Sequence, residues 1–449
     1  MAPSFGTANI KCKSGLTNTF TKKIQFGIIL LLWYIYTLTY NKFMDITFHT
    51  LKNGIRLVHL RIPGIVAHCG LIINAGSRDE KTDEHGIAHF IEHMLFKGTA
   101  KRKAYHILCR LEDVGGELNA YTTKEETAVH ASFLMEHYER AIEIISDIAF
   151  NSIYPEKEIE KEKEVVIEEI NSYKDNPGEL IFDEFEEQVF NGLPIGRNIL
   201  GTNDTVKSFS REKIFSFIDG NYPTDQMVFC SVGNISDKKI TELFIRYFSD
   251  IPEKLHTPVS LPDWVYKPSH ITRRLDTWQT HYITGNLAYD LRHPSRMGMF
   301  LLNNILGGPG LNSRLNLSLR ERRGFAYNVE SNYNPYLDTG VFSIYFGTDS
   351  QNLGKSIAIV ESELKLLRTV KLGSIQLSKA KNQIKGNLAR GYENHESLML
   401  SMGKSLLIFN KIDSIEEIYS KIDKVTSSEI LEIANEVLDK KILSTLIYK

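Results

Sequence analysis

Five consecutive residues, His89-Phe90-Ile91-Glu92-His93, combine two imidazoles and a carboxylate at helical spacing. Residues four apart on a helix lie one turn above each other on the same face, so both imidazoles can reach one metal ion. Glu92, three residues after His89, projects to the same side and can touch a water on that ion. Neutral imidazole is a good zinc ligand, and a catalytic zinc keeps one coordination position open. Zinc lowers the pKa of a bound water from about 15.7 to about 7, and a nearby carboxylate can then take its proton as general base. Metal-assisted hydrolysis is the chemistry that this spacing suits. Three fixed letters also arise by chance in a chain with 14 histidines, so the case needs a third ligand. His85 also stands four residues before His89, but Ala88 occupies the place of the base in that frame. His85 is expected at the helix N-terminus or in support of the ligands.

The run from Pro155 to Ile170, PEKEIEKEKEVVIEEI, opens with Pro and Glu, a good helix start. Most of its acids read as a solvated charged face. Glu169 differs. At about 100° per residue, Val165, Val166 and Tyr173 lie within about 60° of it. Glu162, two turns earlier, lies on the same stripe, whereas Glu168 points to one side. A carboxylate in an apolar stripe is costly unless a metal or a charge partner receives it. Glu169 is therefore the expected third ligand, and Glu162 a supporting acid.

The elements that must position these residues follow from pattern. Ile46–Leu51 and Ile55–Leu60 read as strands around Asn53-Gly54, a hairpin signal. Val66–Ala75 reads as a buried strand, followed by helices over about 83–96 and about 104–114, the second ended by Gly115-Gly116. Leu118–Tyr121 and Thr127–Leu134 read as strands, then helices over about 137–149 and 155–173, then a strand at Val228–Val232. The second half repeats this order: strand His281–Tyr289, helix Pro294–Leu306 ended by Gly307-Gly308, a strand pair at Ala326–Asn332 and Gly340–Phe346, helix Ser356–Leu367 and strand Leu443–Tyr448. The offset is about 210 residues. The organisation predicted is a catalytic domain over 44–250, a proline-rich linker over 251–269 and a second similar α+β domain over 270–449.

Composition narrows the class. Hydrophobic residues make up 42% and charged residues 24% of the 449, the profile of a folded globular chain. With 53 basic and 55 acidic residues the net charge is -2, which gives no reason to expect a nucleic-acid partner. The four cysteines, Cys12, Cys69, Cys109 and Cys230, form no C-x-x-C pair, so neither a disulfide framework nor a cysteine zinc site is suggested. Residues 1–43 stand apart: they hold lysines but no acid, around the uncharged run Ile24–Tyr40. That run, about 17 residues, sits at the short limit for a membrane-spanning helix. Two readings are open. Either it is an uncleaved anchor and the chain is single-pass and membrane-associated, or translation starts at Met44 and the chain is cytoplasmic.

His89-Phe-Ile-Glu-His-Met-Leu-Phe-Lys-Gly-Thr, followed by Gly115-Gly-Glu-Leu-Asn-Ala-Tyr-Thr-Thr, resembles the pitrilysin/insulinase family of zinc peptidases, whose inverted motif is H-x-x-E-H. It is most similar to short bacterial members related to mitochondrial processing peptidase, over Ile46 to Lys449. The resemblance implies two homologous domains, each a mostly antiparallel sheet packed with helices, and one Zn2+ per chain. It places the third ligand on Glu169 and the supporting glutamate on Glu162. It also implies roles for Arg320 and Tyr327 in binding substrate carbonyls and the tetrahedral oxyanion. By themselves these two residues read as a surface helix charge and a core aromatic. Asn119, Ala120 and Tyr121 fall in the family's edge strand, which pairs with an extended peptide by β-augmentation. The implied activity is zinc-dependent endopeptidase action on unfolded peptides, in a homodimer where the zinc domain of one subunit faces the second domain of its partner. The alternatives are a non-catalytic family subunit and a membrane-tethered binding module with structural zinc. One departure is Leu306-Gly-Gly-Pro-Gly-Leu-Asn-Ser-Arg, where Pro309 stiffens a loop that is often richer in glycine.

Overall fold

The alternating text around Asn53-Gly54 folds as a hairpin. Strands β1 (Ile46–Thr50) and β2 (Arg56–Arg61) are neighbours, closed by the Leu51 N–H donating to the Ile55 carbonyl at 2.9 Å. The Asn53 amide donates to the carbonyls of Phe248 and Ile251, each at 2.9 Å, and so ties the start of the first half to its end. The computed structural model describes residues 46–257, 264–275 and 277–449. The Ile24–Tyr40 run and Cys12 lie outside them. Among the described residues no helix is long and apolar enough to cross a membrane, and Cys69, Cys109 and Cys230 are free thiols.

The first half continues with β3 (Val66–Ile73), α1 (Ile87–Met94), α2 (Ala104–Glu112), β4 (Glu117–Thr122), β5 (Thr127–Leu134), α3 (Tyr138–Phe150) and α4 (Glu156–Lys174). After these come α5 (Pro177–Val189), α6 (Asn203–Lys207), α7 (Arg211–Asn221), β6 (Met227–Gly233) and α8 (Asp237–Phe248). Its sheet runs β1-β2-β6-β3-β5-β4. The second half holds β7 (His270–Arg273), β8 (Thr280–Leu287), α9 (Arg296–Gly307), β9 (Ala326–Pro335), β10 (Gly340–Thr348) and α10 (Leu353–Thr369). It ends with α11 (Ser374–Tyr392), α12 (His395–Phe409), α13 (Ile415–Lys424), α14 (Ser427–Val437) and β11 (Ser444–Tyr448). Its sheet runs β7-β11-β8-β10-β9.

The two sheets match strand for strand from β2 and β7 onward. Each has one parallel pair, β2 with β6 and β7 with β11, and is otherwise antiparallel. The repeat read in the text is thus a repeat of α+β topology, and β4 and β9 are the corresponding edge strands.

A sheet has cover on both faces when its central strands are buried on both sides, as β6 and β10 are throughout their length. Here each half covers the other. Ile181, Phe185 and Val189 of α5 pack on Ile283 and Val341 of the second sheet. In return α12 lies on β3 and β6, with Met399 Sδ 3.0 Å from Cys230 Sγ. Polar pairs accompany this exchange: Arg78 binds Glu125 and Asp338, and Lys404 reaches Glu126 at 3.1 Å.

Candidate metal centre

Helix α1 begins at Ile87, after a 3-10 turn at Thr82–Glu84, and ends at Met94; the text alone suggests 83–96. The reason is Gly86, whose φ of 93° places it in the left-handed region. A Cβ there would stand 2.6 Å from the Leu200 carbonyl oxygen, and one on Gly201 (φ 82°) 2.5 Å from that of His85. Two backbones therefore press together where the helix starts. His85 falls before the helix, with Nε2 2.9 Å from the Asn198 carbonyl oxygen.

No residue beside Gly86 caps α1; Glu80 does so from a distance. Its two carboxyl oxygens accept from the Gly86 and Ala88 N–H groups, each at 2.9 Å, satisfying free donors in the first turn of the helix. Burial pushes Glu80 up to about 8, against those two N–H groups and Arg197.

From this fixed start, His89 and His93 face the same side, their ring centroids 4.6 Å apart. His89 Nε2 lies 3.8 Å from one oxygen of Glu169 on α4, and His93 Nε2 lies 3.5 Å from the other. One donor atom from each of the three residues falls within 4.8 Å of the other two. Ligands about 2.1 Å from a tetrahedral zinc stand roughly 3.4 Å apart, so this spacing and donor chemistry fit such an ion. Burial, and then the neighbouring His93, lowers His89 to about 4, so it is neutral and a competent ligand at neutral pH. Burial also opposes a charge on His93, but Glu162 and Glu169 outweigh it and raise the ring above the usual imidazole range.

Glu162 Oε1 is 2.9 Å from His93 Nδ1, and Glu162 Oε2 is 2.6 Å from Lys97 Nζ. Burial would raise this carboxyl, yet His93 and Lys97 hold it below the ordinary range. Glu92 projects from α1 toward Thr122 at the end of β4. Burial raises Glu92, opposed by Thr122 and the His93 ring.

Glu169 does not sit on the apolar stripe that its helical phase predicts. Val165 is 51% exposed and Glu169 is itself exposed, so they do not form a buried apolar stripe. Only Glu162 and Val166 of that set are buried. Glu169 meets the imidazoles from the open side of the site.

Arg320 and Tyr327 are brought together in the second half of the chain. Arg320 lies on a π-helical segment, Asn316–Glu321, and its guanidinium sits 5.5 Å from the Tyr327 ring centroid at the start of β9. Tyr327 is 81% exposed and is therefore no core aromatic. Among the described residues neither makes a hydrogen bond or ion pair with His89, Glu92, His93 or Glu169. Asn119, Ala120 and Tyr121 lie on β4, with His130, Val129 and Ala128 of β5 as their partners on one side; β4 is the sheet edge. Tyr121 turns its hydroxyl to Glu126 at 3.1 Å. Pro309 and Gly310 lie against α11, where Gln383 binds Asn312. Glu80, Lys97 and Arg197 escape pattern reasoning; Lys97 stands in the motif text, but nothing in its spacing announces Glu162.

Comparison with known proteins agrees with this layout. The insulinase (peptidase family M16) profile matches residues 61–203, which hold every metal-site residue, and the peptidase M16 inactive-domain profile matches 208–384, which hold Arg320 and Tyr327. An uncharacterized zinc protease of Bacillus subtilis is 32% identical over 89% of this chain and 97% of its own. One from Rickettsia bellii is 33% identical over 88% and 96%. The fold matches a Helicobacter pylori protease at TM-score 0.83 and 20% identity, covering 90% of this chain and 99% of that one. It also matches a peptidase M16 inactive-domain structure from Pseudomonas fluorescens at TM-score 0.83 and 18% identity, covering 90% and 98%. With the inverted zinc motif, the doubled fold and near full-length relatives in agreement, the chain belongs to the insulinase (M16) peptidase family.

Proposed function

We propose that the protein is a zinc-dependent endopeptidase acting on extended peptides, with one Zn2+ per chain held by His89, His93 and Glu169. The observation that carries this reading is the convergence of those three donors within 4.8 Å, with Glu92 on the same helix face. A zinc ion bound there supplies a Lewis acid and a water whose pKa falls to about 7. Glu92 accepts the proton of the attacking water and returns it to the leaving amine. The free edge of β4, at Asn119, Ala120 and Tyr121, pairs with the substrate backbone, so affinity comes from main-chain bonds rather than a strict side-chain code. Arg320 and Tyr327 bind the scissile carbonyl and the oxyanion.

The reading includes a homodimer, as the family resemblance implies, in which each zinc half is completed by the Arg320 and Tyr327 of the other copy. Replacing Glu92 with Gln tests the hydrolytic role. The variant should retain one zinc per chain and lose about 10²- to 10⁴-fold in peptide hydrolysis. Unchanged turnover would remove the enzyme reading.

A further inference from the structure

We infer that Lys97 is a positioning residue for the metal-binding imidazoles, acting through Glu162; this rests on the zinc reading above. The observation is a continuous chain of short contacts behind one ligand. Lys97 Nζ lies 2.6 Å from Glu162 Oε2, and Glu162 Oε1 lies 2.9 Å from His93 Nδ1. Glu162 is 5% exposed, so its charge has little water to rely on. With the Lys97 ammonium on its other oxygen, the carboxylate is held in place and meets the ring at Nδ1 from behind. The other ring nitrogen, Nε2, is thereby turned toward Glu169.

The two imidazoles differ in this respect. His89 Nδ1 is buried and has no hydrogen-bond partner among the described residues. His93 is thus the ligand whose ring is held from behind by side chains, and the orientation of the shell leans on Glu162 and Lys97. Lys97 is itself held in place. Its N–H donates to the Met94 carbonyl at the end of α1, at 3.2 Å. Two residues on, Thr99 donates from its hydroxyl to Asp147 of α3 at 2.8 Å and accepts from the Arg102 N–H at 3.0 Å. Arg102 closes the cluster on Asp147 and Glu143, each at 2.6 Å. Asp147 is 3% exposed, so the Lys97-Gly98-Thr99 segment is anchored into α3 and not free to swing. The backbone that carries the lysine is therefore fixed, and only its side-chain rotamers are ordered when it meets Glu162.

The test is zinc affinity of the full chain by chelator competition, with the visible spectrum of the cobalt-substituted protein as a second readout. K97M should bind zinc about 10-fold or more weakly and change the cobalt spectrum, while K97R restores both. E162Q should weaken binding as well, and K97M should add nothing in the E162Q background. K97Q gives the same comparison if Met disturbs local packing. Zinc affinity of K97M and K97Q within about 2-fold of wild type overturns the proposal, as does an equal K97M effect with and without Glu162. A wild-type chain that takes up no zinc instead overturns the reading of the site itself.

Discussion

Where the first half places α1, with His89, Glu92 and His93 turned to one side, the second half places α9, whose Met299, Leu301, Leu302 and Leu306 are fully buried. α1 receives a carboxyl cap from Glu80; α9 has no side-chain cap. The contrast extends through both halves. Among the described residues, every buried Asp, Glu, His and Lys lies in the first half, including Glu80, His89, Asp147 and Glu162. The buried polar residues of the second half are Ser, Thr and Asn only. Burying charge is costly unless partners receive it. One topology thus serves twice: once with buried charge, part of it beside the candidate metal residues, and once with a core whose buried polar residues are uncharged and with Arg320 and Tyr327 near its surface.

Substitutions at matched places should break this contrast in opposite directions. His93→Ala has the largest expected effect on function: stoichiometric zinc and peptide hydrolysis are both lost while the fold persists, as measured by metal analysis and circular dichroism. Full zinc content in that variant would contradict the ligand assignment. Met299→Ala in α9 should do the reverse. Zinc stoichiometry is kept, while denaturant unfolding shows a loss of about 2–5 kcal/mol from the cavity left in the core. A stability cost below about 1 kcal/mol would show that α9 is not the packed counterpart of α1.

A smaller effect distinguishes the capping of the two helices. Folding holds the Glu80 carboxyl protonated up to about 8, whereas an exposed glutamate in the unfolded chain loses its proton near about 4.3. Between these values the folded state carries the extra proton, so this group's contribution to stability falls as pH rises. Glu80→Gln cannot titrate. The melting-temperature advantage of wild type over this variant should therefore shrink from pH 5 to pH 9, and a constant or growing advantage would contradict the burial of Glu80.

What the sequence made legible was local. His89, Glu92 and His93 are related by a helical turn, and the strands alternate or run apolar over short spans, so both could be read from spacing. The two-fold repeat was legible because turns and glycines recur in the same order. The start of α1 was not, because Gly86 is set by a backbone on the far side, at Leu200 and Gly201. Glu169 does lie beside the two imidazoles, but not on an apolar stripe, which Val165 does not form. The exchange of α5 and α12 between halves, the Glu80 cap and the link from Lys97 to Glu162 depend on residues far apart in the chain. No periodicity within one segment carries that information.

The proposed homodimer, in which the zinc half of one copy meets Arg320 and Tyr327 of the other, is tested by co-expression of Glu92→Gln with Arg320→Ala, since each variant alone is predicted to be nearly inactive. Random pairing gives half heterodimers, each with one intact site of two, and so about a quarter of wild-type peptide hydrolysis. Recovery near that level supports the shared site. No recovery, with mixed dimers demonstrated by differential tagging, would place both sets of residues in the service of a single chain and contradict the shared site.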